Sequence, residues 1–263
     1  MRSIKPAIFL LLIVTIAVFQ AIAFAQDDEE NGPERAAALI REAIKERGGD
    51  DYLNVRTLVS HGQYTPFLKG LPQLPQEFVD HIIYPATERT EFGKGKTKYI
   101  QTNSGNSGWI YDAQQKMIRD QTEDQVKRFQ QGARHDIDNI LRHSWKESGA
   151  KLVFIGRREV WRNTFSHAVR IESKEGESVT LHFDLRSHLP LMMEYKSVGE
   201  EGTTNDHVRY ARWISYQGVL FPAIQDFYRE GNQVSRVAYD SVKFNETLPD
   251  KLFAKPADIK EVK

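Results

Sequence analysis

The sequence predicts an α+β fold: a single large curved antiparallel sheet, a half-open β-barrel, with helices covering its concave face. Three observations lead there. The order of patterns is a helix, a run of short strands, a second helix and a longer run of strands. Turn-forming clusters separate the strands at hairpin spacing: Gly93-Lys94-Gly95, Glu175-Gly176-Glu177, Gln217-Gly218 and Glu230-Gly231-Asn232. Neither a linker nor an internal repeat divides the pattern, so the strands must share one layer and the helices must bury their apolar stripes on it. A curved sheet that does not close on its own side chains leaves a concave apolar surface, which helices plug or a ligand fills.

At the N-terminus, Arg2 and Lys5 precede an apolar run from Ile8 to Phe19, and Ala23-Phe24-Ala25 supplies small residues at the −3 and −1 positions of a cleavage site. Residues 1–25 therefore read as a secretory signal peptide. An uncleaved membrane anchor is the alternative, because the 19 residues from Ala7 to Ala25 approach the ~20 needed to span a bilayer. Residues 26–32 read as a flexible polar segment, 33–256 as one domain and 257–263 as a polar tail.

The first helix starts at Pro33 and ends at Gly48-Gly49, with Ala36, Leu39, Ile40, Ala43 and Ile44 on one face. Val55 to Thr65 reads as the first strand. Residues 66–78, PFLKGLPQLPQEF, read as an irregular loop, either tucked against the core or serving as a mobile apolar flap at a pocket mouth. Short strands follow at 79–84, 87–92, 97–102, 108–112 and 116–119. Thr122-x-x-Gln125 is a capping box for a long second helix whose apolar face runs from Val126 and Phe129 through Ile137, Ile140 and Leu141 to Trp145. Strands resume at 151–156, 158–163, 165–173, 178–185, 190–197, 206–217, 219–229 and 234–244. In the closing stretch FNETLPDKLFAKP, Pro249 and Asp250 start a short helical turn, and Leu248, Leu252 and Phe253 seal the end of the sheet.

Composition excludes several function classes. Removal of residues 1–25 leaves 238 of 263 residues and a net charge of −2, since that segment holds two of the 36 basic residues and none of the 36 acidic ones. A near-neutral chain has no electrostatic footprint for nucleic acid. With no cysteine there is no thiol catalysis, no zinc–cysteine site, no disulfide and no lipid-modified cysteine. The mature chain is expected to be soluble and exported.

Candidate chemistry is sparse. His135, Asp136, Asp138 and His143 read as the solvated face of the second helix, and His182, Asp184 and His188 as polar positions of a half-exposed strand and its turn, rather than as metal ligands. Ser166-His167 lacks a nucleophile elbow, and HExxH, P-loop and GxGxxG motifs are absent. No catalytic group, metal or cofactor is expected. The aromatic and apolar set is the stronger signal. Trp109, Trp145, Trp161 and Trp213 lie on separate elements, and with Phe129, Met192, Met193, Phe221 and Phe227 they supply a surface large enough to line a cavity. The side chains expected at the cavity or flap are Phe67, Leu71, Leu74, Phe78, Trp109, Phe129, Ile137, Leu141, Trp213 and Phe221.

Four fragments occur in order: GWIYDAQQKM (108–117), FDLRSHLPLMMEY (183–195), YQGVLFPAIQDFY (216–228) and FNETLPDKLFAKP (244–256). Together with the export signal and first helix, the chain resembles the outer-membrane lipoprotein-carrier superfamily, the LolA/LolB-like proteins. The resemblance implies a half-barrel with a hydrophobic cavity that shields acyl chains in the periplasm, without metal or catalysis. It implies an acylated lipoprotein or another lipidic ligand as partner, and leaves transient membrane contact open. Two other readings stand beside it: an envelope sensor or assembly scaffold that binds a protein partner, and a hydrolase whose site the sequence does not show. One departure is local. Where the carrier has an arginine directly before a strand proline to close its lid, this chain has Tyr84 before Pro85, with Arg89 further on.

Overall fold

A computed structural model describes residues 32–199 and 202–262; the expected signal peptide lies outside them. The first half of the sheet comprises β1 (Thr57–Leu68), β2 (Leu71–Pro72), β3 (Gln76–Ile83), β4 (Thr87–Phe92), β5 (Tyr99–Ser104), β6 (Ser107–Asp112) and β7 (Met117–Asp120). The second comprises β8 (Lys151–Trp161), β9 (Thr164–Glu172), β10 (Ser178–Asp184), β11 (Pro190–Gly199), β12 (Gly202–Tyr216), β13 (Val219–Arg229) and β14 (Asn232–Phe244). Four α-helices complete it: α1 (Gly32–Glu46), α2 (Asp50–Leu53), α3 (Glu123–Arg134) and α4 (Ile137–Arg142).

Two meanders make one antiparallel sheet, in the order β7-β6-β5-β4-β3-β1-β14-β13-β12-β11-β10-β9-β8, with β2 paired only to β1. The seam is the β1–β14 pair, which joins the start of the domain to its end. The two edges, β7 and β8, are not bonded to each other. They are consecutive in the chain, and the segment between them carries α3 and α4. This is the expected half-open barrel.

Bulges decide which side chains face inward. Opposite His61 and Gly62, β14 carries one unpaired residue, Asp240. The insertion shifts the two-residue period, so that Val237 and Tyr239 before it and Val242 and Phe244 after it all face the interior. Gly62 lies opposite this bulge, where a Cβ would run into the Ala238 carbonyl oxygen and stand 2.9 Å from the Phe78 ring. Further irregularities in β8, between Phe154 and Gly156 and between Glu159 and Trp161, bend into one strand what the sequence reads as two.

The core lies on the concave side. Helix α1 buries Ala36, Leu39, Ile40, Ala43 and Ile44, its predicted stripe, against β8 and β9. Burying side chains of the Leu and Ile type is worth ~1.5–3 kcal/mol each, which fixes the helix across the second meander.

Two expectations are corrected. The long second helix is two helices. The chain breaks at His135–Asp136, and the Asp136 carboxylate restarts it by accepting the N–H groups of Asp138 and Asn139, both at 2.9 Å. Residues 66–78 are not an irregular loop. β1 continues to Leu68, Lys69 and Gly70 make a two-residue turn with positive φ (51° and 78°), and β2 returns. Pro72 is tolerated because β2 has β1 as its only partner, and Pro75 lies between strands. This hairpin is not tucked against the core: Leu68, Leu71 and Leu74 are 63, 67 and 87% exposed. The closing stretch forms a 3-10 turn at Asp250–Leu252, whose end is tied to the sheet by hydrogen bonds from Arg89 Nη1 to the Leu252 carbonyl (2.9 Å) and from Trp109 Nε1 to the Phe253 carbonyl (2.8 Å).

Candidate functional site

A half-open cavity of about 290 Å³ lies between the concave face and the start of α4, near the low end of the ~300–1,000 Å³ typical of small-molecule sites. Its wall follows from strand alternation. Phe78, Asp80, Ile82 and Tyr84 occupy every second position of β3 and its extension, and Glu88, Thr90 and Phe92 do so on β4. Phe221, Gln225 and Phe227 come from β13, and Val237 and Tyr239 from β14.

One wall is a continuous aromatic surface. Tyr64 meets Phe92 edge-on at 6.0 Å, Phe92 lies 6.4 Å from Phe78, Phe78 meets Tyr239 at 5.7 Å, and Tyr239 meets Phe221 at 5.0 Å. Such tilted contacts each add ~0.5–1.5 kcal/mol beyond burial, so the rings hold their places as a preformed surface.

Acids border the same surface: Asp80 is the next inward position after Phe78 on β3, Glu88 lies on the face of β4 that carries Phe92, and Asp136 and Asp138 come from the helix side. Asp80 and Glu88 share Thr90, whose hydroxyl donates to Asp80 Oδ1 at 2.9 Å and to Glu88 Oε1 at 3.3 Å. Burial raises both carboxyls above their ordinary range, and the adjacent Glu88 pushes Asp80 further. Burial, reinforced by the Asp138 charge, pushes Asp136 up to about 7.

Asp138 behaves oppositely because it sits in a network of cations and phenols. Arg47 Nη1 lies 2.6 Å from Asp138 Oδ1, the Tyr52 hydroxyl donates to the same oxygen at 2.9 Å, and the Tyr84 hydroxyl donates to Oδ2 at 3.0 Å. The Arg142 guanidinium stands 3.9 Å from Asp138 and 4.6 and 4.2 Å from the ring centres of Tyr52 and Tyr84. Burial alone would raise the Asp138 carboxyl, but Arg47, Arg142 and the Tyr52 hydrogen bond outweigh it and hold it at about 2. Arg47, Tyr52, Asp138 and Arg142 are each at most 4% exposed. The network ties α1, α2 and α4 to the end of β3. Asn139 adds a bond from its side-chain amide to the Pro85 carbonyl at 2.9 Å.

The sequence-predicted residues separate into groups. Phe78 and Phe221 line the cavity. Ile137, Leu141 and Trp213 belong to the core or pack against it. Trp109 is buried beneath the closing stretch. Phe67 and Phe129 are half-buried, on β1 and α3, and Leu71 and Leu74 stand exposed on the hairpin. The reading of His135 and Asp138 as a solvated face is corrected: both are buried, with His135 stacked 4.3 Å from Tyr195. His182 is also buried rather than half-exposed. Its Nδ1 lies 2.9 Å from Ser166 Oγ and its Nε2 3.1 Å from Glu194 Oε2. Ser166 is wholly buried and lines none of the cavities described, so this array ties three strands together and presents no nucleophile. Asp80, Glu88 and Tyr239 are not among the residues the sequence points to, and Tyr84 is marked there only as the residue before Pro85. Their signal was the alternation Phe78-x-Asp80-x-Ile82-x-Tyr84, which puts a carboxyl on an apolar face.

No protein-family model and no curated protein sequence matches this chain. Solved structures do. A DUF1329 family protein from Desulfovibrio piger superposes with a TM-score of 0.56 at 11% identity, over 85% of this chain and 98% of that one. A LolA superfamily protein from Nitrosomonas europaea gives 0.55 at 12% identity, over 84 and 97%. The chain has a LolA-like fold. A putative outer membrane lipoprotein-sorting protein domain from Vibrio parahaemolyticus is similar too, with a TM-score of 0.51 at 8% identity over 85 and 97%. In this LolA-like chain the residue before Pro85 is a tyrosine that bonds to α4, while the arginines come from the end of α1 and from α4 itself. Among the described residues no helix is long and apolar enough to cross a membrane.

Proposed function

We propose that this chain is a non-catalytic binding or transfer protein of the bacterial envelope, working in the periplasm, whose cavity takes up the apolar part of a lipidic ligand. The observation that carries this reading is the aromatic wall from Tyr64 to Phe221, preformed and open at one side rather than packed shut. The LolA-like fold and the similarity to a lipoprotein-sorting protein domain support it. Burial of apolar surface, ~25 cal/mol per Å² before ordering costs, supplies the affinity. The test is extraction of the protein purified from envelope fractions, with mass spectrometry of what is released, and displacement of the apolar dye N-phenyl-1-naphthylamine. Acyl-bearing species and a displaceable dye are expected, and Val237→Trp, which fills the cavity, lowers dye binding. Empty protein that takes up no dye overturns the reading.

The exposed hairpin leucines support a second reading, in which the chain also docks on an envelope protein. A photo-crosslinker at Leu74 is expected to trap one defined protein, and Leu71→Glu to abolish the adduct. A smear of unspecific adducts overturns it.

A further inference from the structure

The cavity is not built for an apolar body alone. Its lining includes four carboxyl groups, those of Asp80, Glu88, Asp136 and Asp138, and no lysine, arginine or histidine. Asp138 has Arg47 and Arg142 as counter-charges. Among the described residues Asp80, Glu88 and Asp136 form no ion pair. Asp80 and Glu88 stand within hydrogen-bonding reach of each other and share the Thr90 hydroxyl, and Asp136 accepts from the first turn of α4; none of these contacts brings a cation. Two further polar groups in the lining, the Tyr239 hydroxyl and the Gln225 amide, have no hydrogen-bond partner among the described residues.

Buried carboxyls without counter-charges are costly, and a site keeps them where something compensates. A ligand with a carboxylate or phosphate in this cavity would meet three unpaired acids. The carboxyls do not converge on a point either. Among the described residues no three acidic or histidine side chains have the arrangement that holds a metal ion. Acids set beside the rings of Phe78, Phe92 and Tyr239 instead suit a cation of molecular size, whose charge meets the carboxyls and whose substituents meet the aromatic faces.

We infer that the ligand of this cavity carries an organic ammonium group on its apolar body, the ammonium seated among Asp80, Glu88 and Asp136. This rests on the apolar-ligand reading above and narrows its class to amine-bearing or quaternary-ammonium amphiphiles. In the free protein Asp80 and Glu88 share Thr90 and are both raised by burial; the ammonium supplies the counter-charge they lack.

The experiment is calorimetric titration of the whole protein with four probes below their micelle concentrations: dodecylammonium, uncharged dodecyl maltoside, dodecyl sulfate, and chainless tetramethylammonium. Dodecylammonium is expected to bind about tenfold more tightly than the uncharged probe, the scale of a desolvated cation–aromatic contact, with dodecyl sulfate weakest. In Asp80→Asn/Glu88→Gln the ratio of cationic to uncharged affinity, taken within the one protein, is expected to fall to about unity. Should that variant not fold, the charge series on the unaltered protein decides alone. Equal affinities for cationic and uncharged probes, or a preference for the sulfate, overturn the ammonium and leave the apolar-ligand reading standing. Tetramethylammonium binding as tightly as dodecylammonium overturns the amphiphile class, and no binding of any chain-bearing probe overturns both readings.

Discussion

Helices α3 and α4 follow each other with two residues between them, yet their environments are opposite. None of the 12 residues of α3 is buried, although it is well capped and amphipathic, whereas all six residues of α4 are buried. Helix α3 has the sequence marks of a good helix: a capping box at Thr122 and Gln125, acids in its first turn and Arg134 in its last. Helix α4 is too short to be stable alone. It is held by Ile137, Ile140 and Leu141 in the core and by the Asp138 network. The contrast teaches that position over the cavity is set by burial and buried charge, not by helical propensity. Helix α4 and its cap border the cavity through Asp138 and Asp136, and no residue of α3 lines it.

The strongest way to break this contrast is to remove the charge at its centre. Asp138→Asn leaves Arg47 and Arg142 buried without a counter-charge, and such losses cost about 3–5 kcal/mol. Urea unfolding should show an unfolding free energy lowered by that amount, through a lower midpoint with an unchanged slope. The native carboxyl, held at about 2, also sets a pH window. The folded state keeps Asp138 ionised below the pH at which the unfolded chain takes up the proton, ordinarily near 4. The contribution is therefore full above about pH 4 and is lost as pH falls towards 2. An unfolding free energy within about 0.5 kcal/mol of the parent, the usual range for surface substitutions, would show that α4 does not depend on this network.

A smaller effect sharpens the comparison at the break between the helices. Asp136 restarts the chain as the cap of α4 and is pushed up to about 7. Here the sign is reversed. The folded state holds the proton while the unfolded chain releases it near pH 4, so stability falls as pH rises from about 4 to 7 and levels off above. Asp136→Asn keeps a capping oxygen and removes the charge. Relative to the parent it should be more stable at pH 8 by about 1–2 kcal/mol, the carboxyl being only partly shielded from water in the cavity. At pH 4 the two should coincide. Thermal unfolding at the two pH values decides, and a variant less stable at pH 8 would assign the residue a role through its charge.

These particulars mark what could be read in advance. Strand alternation and turn residues are local, so the two meanders, α1 and the capping box of α3 were legible. The β1–β14 seam joins positions about 180 residues apart, as Leu58 to Phe244 shows, and only its outcome, one sheet, follows from the pattern. The hairpin at Leu68–Leu71 was hidden because three prolines nearby suggest irregular chain, yet an edge position tolerates them. The split at Asp136 was hidden by an apolar stripe that continues across it, although aspartate before Ile137 is itself a start signal. Of the cavity, Phe78 and Phe221 were legible as large apolar groups. The acids were not, because a charged residue on a strand or helix is most often solvated, and only the fold shows which ones are enclosed.

The smallest expected effect tests α3 itself. Phe129 is its largest apolar side chain and is half-buried, so truncation opens little cavity. Phe129→Ala is expected to cost under about 1 kcal/mol, whereas Leu141→Ala on α4, fully buried, should cost about 2–5 kcal/mol. Hydrogen exchange gives the same comparison without substitution. Amides of 126–134 should exchange by local opening, well before those of 140–142, because their helix rests on few buried contacts. Equal protection in the two segments, or a Phe129→Ala cost matching that of Leu141→Ala, would make the pair one rigid cover. Slowed exchange confined to α3 when dodecylammonium is added would place this helix over the occupied cavity, and unchanged exchange there would limit the cover to α4.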